Sequence, residues 1–242
     1  MVNINLINSA EIIARIEDFE KRGGCIQVML FEINENYQGF IPTDEYLLHL
    51  TTARQTIETV NYQGNLHWNK VANRTNRNSF PILQTDHKLL AQSGIKMSNV
   101  DFFGYYYDLT LRKPLIRGKG PANLNTYFYY DQEETSGNKI DIQKIIDSFH
   151  MEKQAFNGGF SNAFLEPPYG VGFGKTIREV GEYFLDFVDF LFSDVNTISA
   201  FEWSTDCSSF FDAGKEWWGS YFWTVYNPTK NWYIGMVASE TD

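Results

Sequence analysis

Phe211-Asp-Ala-Gly-Lys-Glu-Trp-Trp-Gly-Ser-Tyr-Phe-Trp-Thr-Val-Tyr-Asn-Pro-Thr-Lys-Asn-Trp-Tyr-Ile-Gly-Met-Val-Ala-Ser239 is the stretch on which the fold turns. Two arms, 220–226 and 231–238, flank the turn Asn227-Pro228-Thr229-Lys230 and read as a hairpin. In the first arm Tyr221, Trp223 and Val225 alternate with Phe222, Thr224 and Tyr226. Both of its faces are therefore largely apolar, which predicts a central strand. Trp232, Ile234 and Met236 give the second arm one apolar face. Five of the six tryptophans (Trp203, Trp217, Trp218, Trp223 and Trp232) lie within 203–242. A buried aromatic side chain removes roughly 150–250 Å² from water, so this ending is expected to anchor the core.

Working outward, Ser9 is placed to cap a helix over 10–22 that carries Ile12, Ile13, Ile16 and Phe19 at helical spacing and stops at Gly23-Gly24. A strand is expected over 25–33. A second helix opens after Pro42, with Thr43 or Asp44 as its cap, and runs through Leu47, Leu50, Ala53 and Ile57. The polar, basic stretch 61–79 reads as loop. The Phe/Tyr-rich stretches 100–111 and 124–131 read as strands, joined by a basic connection broken by Pro and Gly. A turn over 132–138 leads to a helix over 140–154, followed by a glycine-rich passage over 157–174. The clearest element is a helix over 176–192, where Ile177, Val180, Phe184, Phe187, Val188 and Leu191 form a continuous apolar stripe. Ile198 to Trp203 reads as a further strand. No regular βαβ alternation exists, so an α+β fold with a mainly antiparallel sheet is expected, as a single domain over 1–242.

Composition sets limits on function. The chain has 242 residues, 43% of them hydrophobic and 17% aromatic, with a formal net charge of −10. That charge argues against nucleic acid or an anionic membrane as the main partner. No window reaches 18 apolar residues, so no membrane span is expected. The first residues lack the basic start and apolar stretch of a signal peptide, which predicts a cytoplasmic protein. The two cysteines, Cys25 and Cys207, lie far apart, outside any Cys/His cluster, and read as free thiols. His49, His67, His87 and His150 are scattered without metal-site spacing. No cofactor or metal is expected.

Ala163-Phe-Leu-Glu-Pro-Pro-Tyr169 resembles the Asp/Asn-Pro-Pro-Tyr loop of adenine-N6 DNA methyltransferases. In that family the short acid or amide accepts a hydrogen bond from the amino group being methylated, and the Tyr stacks on a flipped base. Glu166 is one methylene longer than that acid. Gly170, Gly172 and Gly174 follow too closely to form the family's separate cofactor loop, and the charge is wrong for duplex DNA. The loop therefore reads as a rigid connection between a strand and a helix. Gly170-Val-Gly-Phe-Gly-Lys-Thr176 falls one residue short of a phosphate loop. What survives is an anion site formed by Gly172, Gly174 and Lys175 at a helix N-terminus.

The same Pro-Pro-Tyr loop together with the Trp-rich ending resembles a group of bacterial proteins to which no catalytic residues are assigned. Small acidic proteins of that kind look like immunity proteins, which neutralise a toxin by binding it. Glu179, Glu182, Asp186 and Asp189 share a 3,4,3 spacing and form an acidic stripe on the 176–192 helix. Such a stripe is either a solvated face or a surface for a basic partner such as a toxin. Asp206, Cys207, Ser208 and Ser209 read as a helix cap rather than a nucleophile site. The expected function is binding of a macromolecular partner, as an immunity-type inhibitor. The alternative is an enzyme or small-ligand binder with an aromatic pocket built from 102–107, 127–130 and the 166–175 loop.

Overall fold

The computed structural model describes residues 4–33, 44–75, 80–134, 139–148 and 158–240. Along the chain come β1 (Ile4–Leu6), α1 (Ala10–Lys21), β2 (Gln27–Ile33), α2 (Glu45–Thr75), α3 (His87–Ser93), β3 (Ile95–Met97) and α4 (Asn99–Phe103). Next are β4 (Tyr107–Asp108), β5 (Lys113–Arg117), β6 (Tyr127–Tyr129), α5 (Ile142–Ser148), α6 (Gly159–Leu165) and α7 (Ile177–Phe192). Last are β7 (Ser199–Glu202), α8 (Asp212–Lys215), β8 (Ser220–Asn227) and β9 (Trp232–Ser239). The architecture is α+β, as the patterning predicts. The chain divides into two compact units, each discontinuous in sequence, one of 1–12, 26–97 and 199–242, the other of 13–25 and 98–198.

The first unit is built on a six-stranded antiparallel sheet of order β1-β2-β9-β8-β7-β3. The 220–239 hairpin forms its centre. Every residue from Tyr221 to Val225 is buried, so both faces of β8 are covered. β9 is buried on both faces too, because Tyr233 and Val237 join the core beside Ile234 and Met236. The single apolar face expected for that arm undercounts it. Tyr233 is accommodated by stacking on Tyr226, with ring centroids 4.6 Å apart.

α2 lies on this sheet against β8 and β9, burying Leu50, Ala53, Ile57 and Val60 with Phe31, Phe201, Trp203, Phe222 and Val237. One glycine permits the approach. A Cβ at Gly235 would sit 1.8 Å from the Thr56 hydroxyl oxygen. Thr56 is itself fixed, its hydroxyl donating to the Thr52 carbonyl at 2.8 Å.

The second unit is filled by phenylalanine. Phe102 and Phe103 of α4, Phe160 and Phe164 of α6, Phe184, Phe187 and Phe192 of α7 and Phe19 of α1 are all fully buried. Their rings meet as aromatic pairs do, at 4.8 Å for Phe19–Phe164 and edge-on at 5.6 Å for Phe103–Phe192. Gly104 and Gly159 let α4 and α6 touch. Both have positive φ, and a Cβ at Gly104 would lie 1.8 Å from the Gly158 carbonyl oxygen. A three-stranded sheet, β4-β5-β6, packs on α7.

Several boundaries differ from the sequence expectation. The stretch 61–75 is the continuation of α2, not loop. Low helix propensity there is offset by tertiary bonds: Asn61 donates to the Thr85 hydroxyl at 2.7 Å, and Asn65 bonds both the amide and the carbonyl of Leu83 at 2.8 and 3.1 Å. The run 100–111 begins as α4, because the Ser98 hydroxyl accepts from the Asp101 amide at 3.1 Å and Gly104 ends the turn. The basic connection contains β5, where Pro114 lacks an amide hydrogen but its carbonyl accepts from the Tyr130 amide at 3.2 Å. Ala163-Phe164-Leu165 ends α6, so the Pro-Pro-Tyr loop joins two helices. Pro42, Thr43, Arg77, Asn138, His150 and the expected helix beyond Ser148 lie outside the described residues.

Gly235→Ala should cost about 1–3 kcal/mol, since the new Cβ would overlap the whole Thr56 side chain, whose own Cβ lies 2.8 Å away, so that α2 must shift. Trp223, fully buried in β8, should cost roughly 3–5 kcal/mol as Trp223→Ala. Deleting 231–242 should cause aggregation through the exposed β2 and β8 edges. Urea melts and light scattering check all three. A deletion variant that stays soluble and melts like the parent would make the hairpin an appendage.

Candidate functional site

Four places in the fold gather functional groups. The first is the glycine-rich entry to α7. The Thr176 hydroxyl accepts from the Glu179 amide at 3.2 Å, and the Glu179 carboxylate accepts from the amides of Lys175 and Thr176 at 2.5 and 3.3 Å. This is a capping box, and the amide bonds from Lys175 and Thr176 hold the Glu179 carboxyl below the usual range. The Gly172 amide donates to the Arg22 carbonyl at 2.7 Å, and the Gly174 carbonyl accepts from the Lys119 ammonium. The Gly172 and Lys175 amides, two of those expected to receive an anion, thus donate to the chain's own groups. Beside them opens a hollow of about 550 Å³ lined by Asp131, Glu133 and Glu134 on one side and Lys175, Thr176 and Arg178 on the other. Lys113 bonds Asp131 at 2.5 Å and draws its carboxyl down. An incoming anion would meet carboxylates as well as cations here.

The second place is the acidic stripe. Glu179, Glu182, Asp186 and Asp189 are all exposed, because the opposite side of α7 is committed to the phenylalanine core. They are not equivalent. Glu179 is held in the capping box, and Asp186 pairs with Arg15, whose guanidinium also lies 5.7 Å from the Phe190 ring. Glu182 and Asp189 are the exposed charges on either side of that pair.

The third place is Glu166, the residue that ends α6. Its carboxylate lies 3.4 Å from the Arg117 guanidinium, and burial pushes its pKa up. Tyr105 and Tyr106 feel its field. Tyr106 and Tyr127 share a hydroxyl contact at 3.2 Å, and the Tyr105 and Tyr106 rings lie 4.7 Å apart. So part of the expected aromatic neighbourhood assembles beside the Pro-Pro-Tyr loop. Phe102, Phe103 and Phe128 turn into the core instead, while Tyr169 is 69% exposed.

The fourth place is absent from the sequence reading. His49, fully buried in α2, sits 2.8 Å from the Thr224 hydroxyl and 3.4 Å from that of Ser199. The Trp203 indole donates to Thr224 at 2.9 Å, the Ser199 hydroxyl donates to Glu45, and the Lys96 ammonium bonds Glu45 at 2.6 Å. Counting protons assigns the directions. Ser199 spends its only proton on Glu45, so His49 Nε2 carries a proton toward Ser199. His49 Nδ1 faces the Thr224 hydroxyl, whose oxygen accepts from Trp203. His49 in this state cannot act as a base toward Ser199. The network ties α2 to β3, β7 and β8. The only local signal was Thr224, a polar residue inside an apolar strand.

The remaining candidates are settled locally. His67 packs edge-on against Trp68 at 5.2 Å, and His87 lies 3.8 Å from Glu58. Cys25 and Cys207 are free thiols, and burial pushes Cys207 up to about 12, which removes its reactivity. Ser204 and Ser208 cap two short 3-10 turns. Among the described residues no group of three or more His, Cys, Asp or Glu side chains is placed to hold a metal ion, and no helix is long and apolar enough to cross a membrane. No family model, curated protein or solved structure matches the chain.

His49 makes stability pH-dependent. Burial lowers its pKa from 6.5 to about 4, so below 6.5 the unfolded chain binds a proton that the folded chain refuses. Its contribution is complete above pH 6.5 and is lost as pH falls toward 4, at about 1.4 kcal/mol per pH unit. Urea melts between pH 7 and 4 should show this slope in the parent and lack it in His49→Gln. Equal slopes in both would place the titration elsewhere.

Proposed function

We propose that this protein works by binding a basic macromolecule through the exposed acidic face of α7, as an immunity-type inhibitor neutralises a toxin. The observation that carries the reading is the orientation of that helix. Its apolar stripe is locked into the phenylalanine core, so Glu182, Asp186 and Asp189 are held outward on a rigid element. Rigid presentation lowers the ordering cost of association, and a net charge of −10 steers cationic partners toward the surface while repelling nucleic acid and anionic lipid. Cytoplasmic action fits the two free thiols.

The protein encoded by the neighbouring gene is the partner to test. Co-expression should restore growth, and the purified pair should associate rapidly at low salt. Glu182→Lys with Asp189→Lys should slow association about tenfold at low ionic strength, an effect that fades as salt shortens the screening length. An on-rate indifferent to salt and to charge reversal would reduce the stripe to a solvated face.

A second reading has its own support. Glu166 is a half-buried carboxyl with a raised pKa beside Arg117 and three tyrosines, an arrangement suited to a small polar ligand or to proton transfer. Chemical-shift titration with a fragment set should then perturb Tyr105 and Tyr127 together, and Glu166→Gln should abolish the response. Perturbations confined to α7 would count against it.

A further inference from the structure

The 31 residues of α2 span about 47 Å at 1.5 Å per residue. The eight-residue strands beneath it reach only about 27 Å. The helix is therefore longer than the sheet it packs on, and its buried positions thin out accordingly. They are continuous from His49 to Asn61, and beyond that only Ala72 is buried. One flank of this far half is taken up by the 82–85 segment, bonded to Asn61 and Asn65.

Another flank is uncovered. Glu58, Tyr62, Leu66, Lys70 and Arg74 follow one another at intervals of four, the ridge along which α-helices most often interlock, and all five are exposed. Tyr62 is 65% and Leu66 41% exposed. The charge along the ridge is ordered: Glu58, the only acid in 58–75, stands at one end, and Lys70 and Arg74 stand at the other. Leu66 is midway. Reversed upon itself about Leu66, this ridge is self-complementary. Leu66 meets Leu66 of a second copy, Tyr62 meets Lys70 as an aromatic–cation pair, and Glu58 meets Arg74. Parallel alignment would instead set like charges together.

We propose that the α2 ridge is a two-fold dimerisation surface, whose occupant is a second copy of this chain in antiparallel register about Leu66. The contact is isologous and therefore closes on itself as a dimer. It draws on Glu58, the two cations and the apolar side chains of α2, and on none of the carboxylates of α7. Glu58 also lies 3.8 Å from His87, a pairing that requires a protonated imidazole.

Sedimentation velocity of the whole chain, from about 1 to about 100 µM, tests the proposal. A reversible monomer–dimer equilibrium is expected. Leu66→Glu places two carboxylates at the two-fold axis and should leave monomer only. Arg74→Glu, facing Glu58 of the second copy, should weaken dimerisation about tenfold, and Glu58→Arg combined with Arg74→Glu should recover it. Because recovery restores the interaction with both original side chains gone, it holds whatever each single change does to folding. A chain that is monomeric throughout, a dimer that ignores Leu66→Glu, or a double variant no better than Arg74→Glu would each overturn it.

Discussion

The fold of the first unit depends on the contact between Thr56 and Gly235. A helix can lie this close to a sheet only where the strand offers no side chain, and Gly235 is that place in β9. Once α2 is seated there, Leu50, Ala53, Ile57 and Val60 are pressed into the layer formed by Phe222, Tyr233 and Val237. His49, two turns earlier, comes within 2.8 Å of Thr224. The polar network around His49 is a consequence of that seating. A helix lifted by the width of a methyl group would strand a buried imidazole and a buried hydroxyl, each costly to leave unpaired. Tight apolar packing and polar satisfaction are therefore coupled here: neither survives a shift of α2 that the other could tolerate.

The second unit gathers phenylalanine at its centre, with Val180, Val188 and Leu191 of α7 buried beside the rings. Phenylalanine rings have no polar atom to satisfy, so they fill the junction of α1, α4, α6 and α7 in tilted and edge-on pairs. Glycine again sets the distances, at Gly104 and Gly159 between helices and at Gly181, where a Cβ would lie 2.1 Å from that of Tyr130. Fixing α7 in this way also fixes what it shows outward. The outward direction of the acidic row is thus a by-product of core geometry.

Elements whose cause lies inside their own segment were legible in the sequence. The α7 stripe and the 220–239 hairpin are readable almost to the residue, because periodicity and turn chemistry are local. Where the cause lies elsewhere, the sequence misled. The 61–75 stretch is rich in Asn and looks like loop until Leu83 and Thr85 supply partners to Asn65 and Asn61. The 100–111 run is aromatic enough to look like a strand, although Ser98 and Gly104 bracket a helical turn within it. The same division holds for sites. The acidic row could be listed from spacing, but the engagement of Glu179 in a capping box depends on side-chain direction; Thr176-x-x-Glu179 was the available signal. The His49 network draws on residues 45, 49, 96, 199 and 224, a set that no spacing rule connects.

Charge in this protein does different work according to what surrounds it. Glu45 and Lys96 anchor one end of a buried network, and Glu179 closes a helix terminus. Such groups are already committed, so a partner that needed them would have to replace the bonds they make. Glu182 and Asp189 are exposed on a rigid helix, and the ends of the α2 ridge carry opposite charges on an exposed flank. Exposed pairs of this kind add little to folding stability. Their arrangement matters when a second molecule approaches, because complementarity across an interface selects register and partner more than it adds affinity. The distinction between committed and exposed charge, rather than the total of −10, is what separates surfaces able to recognise something from surfaces that keep the chain in water.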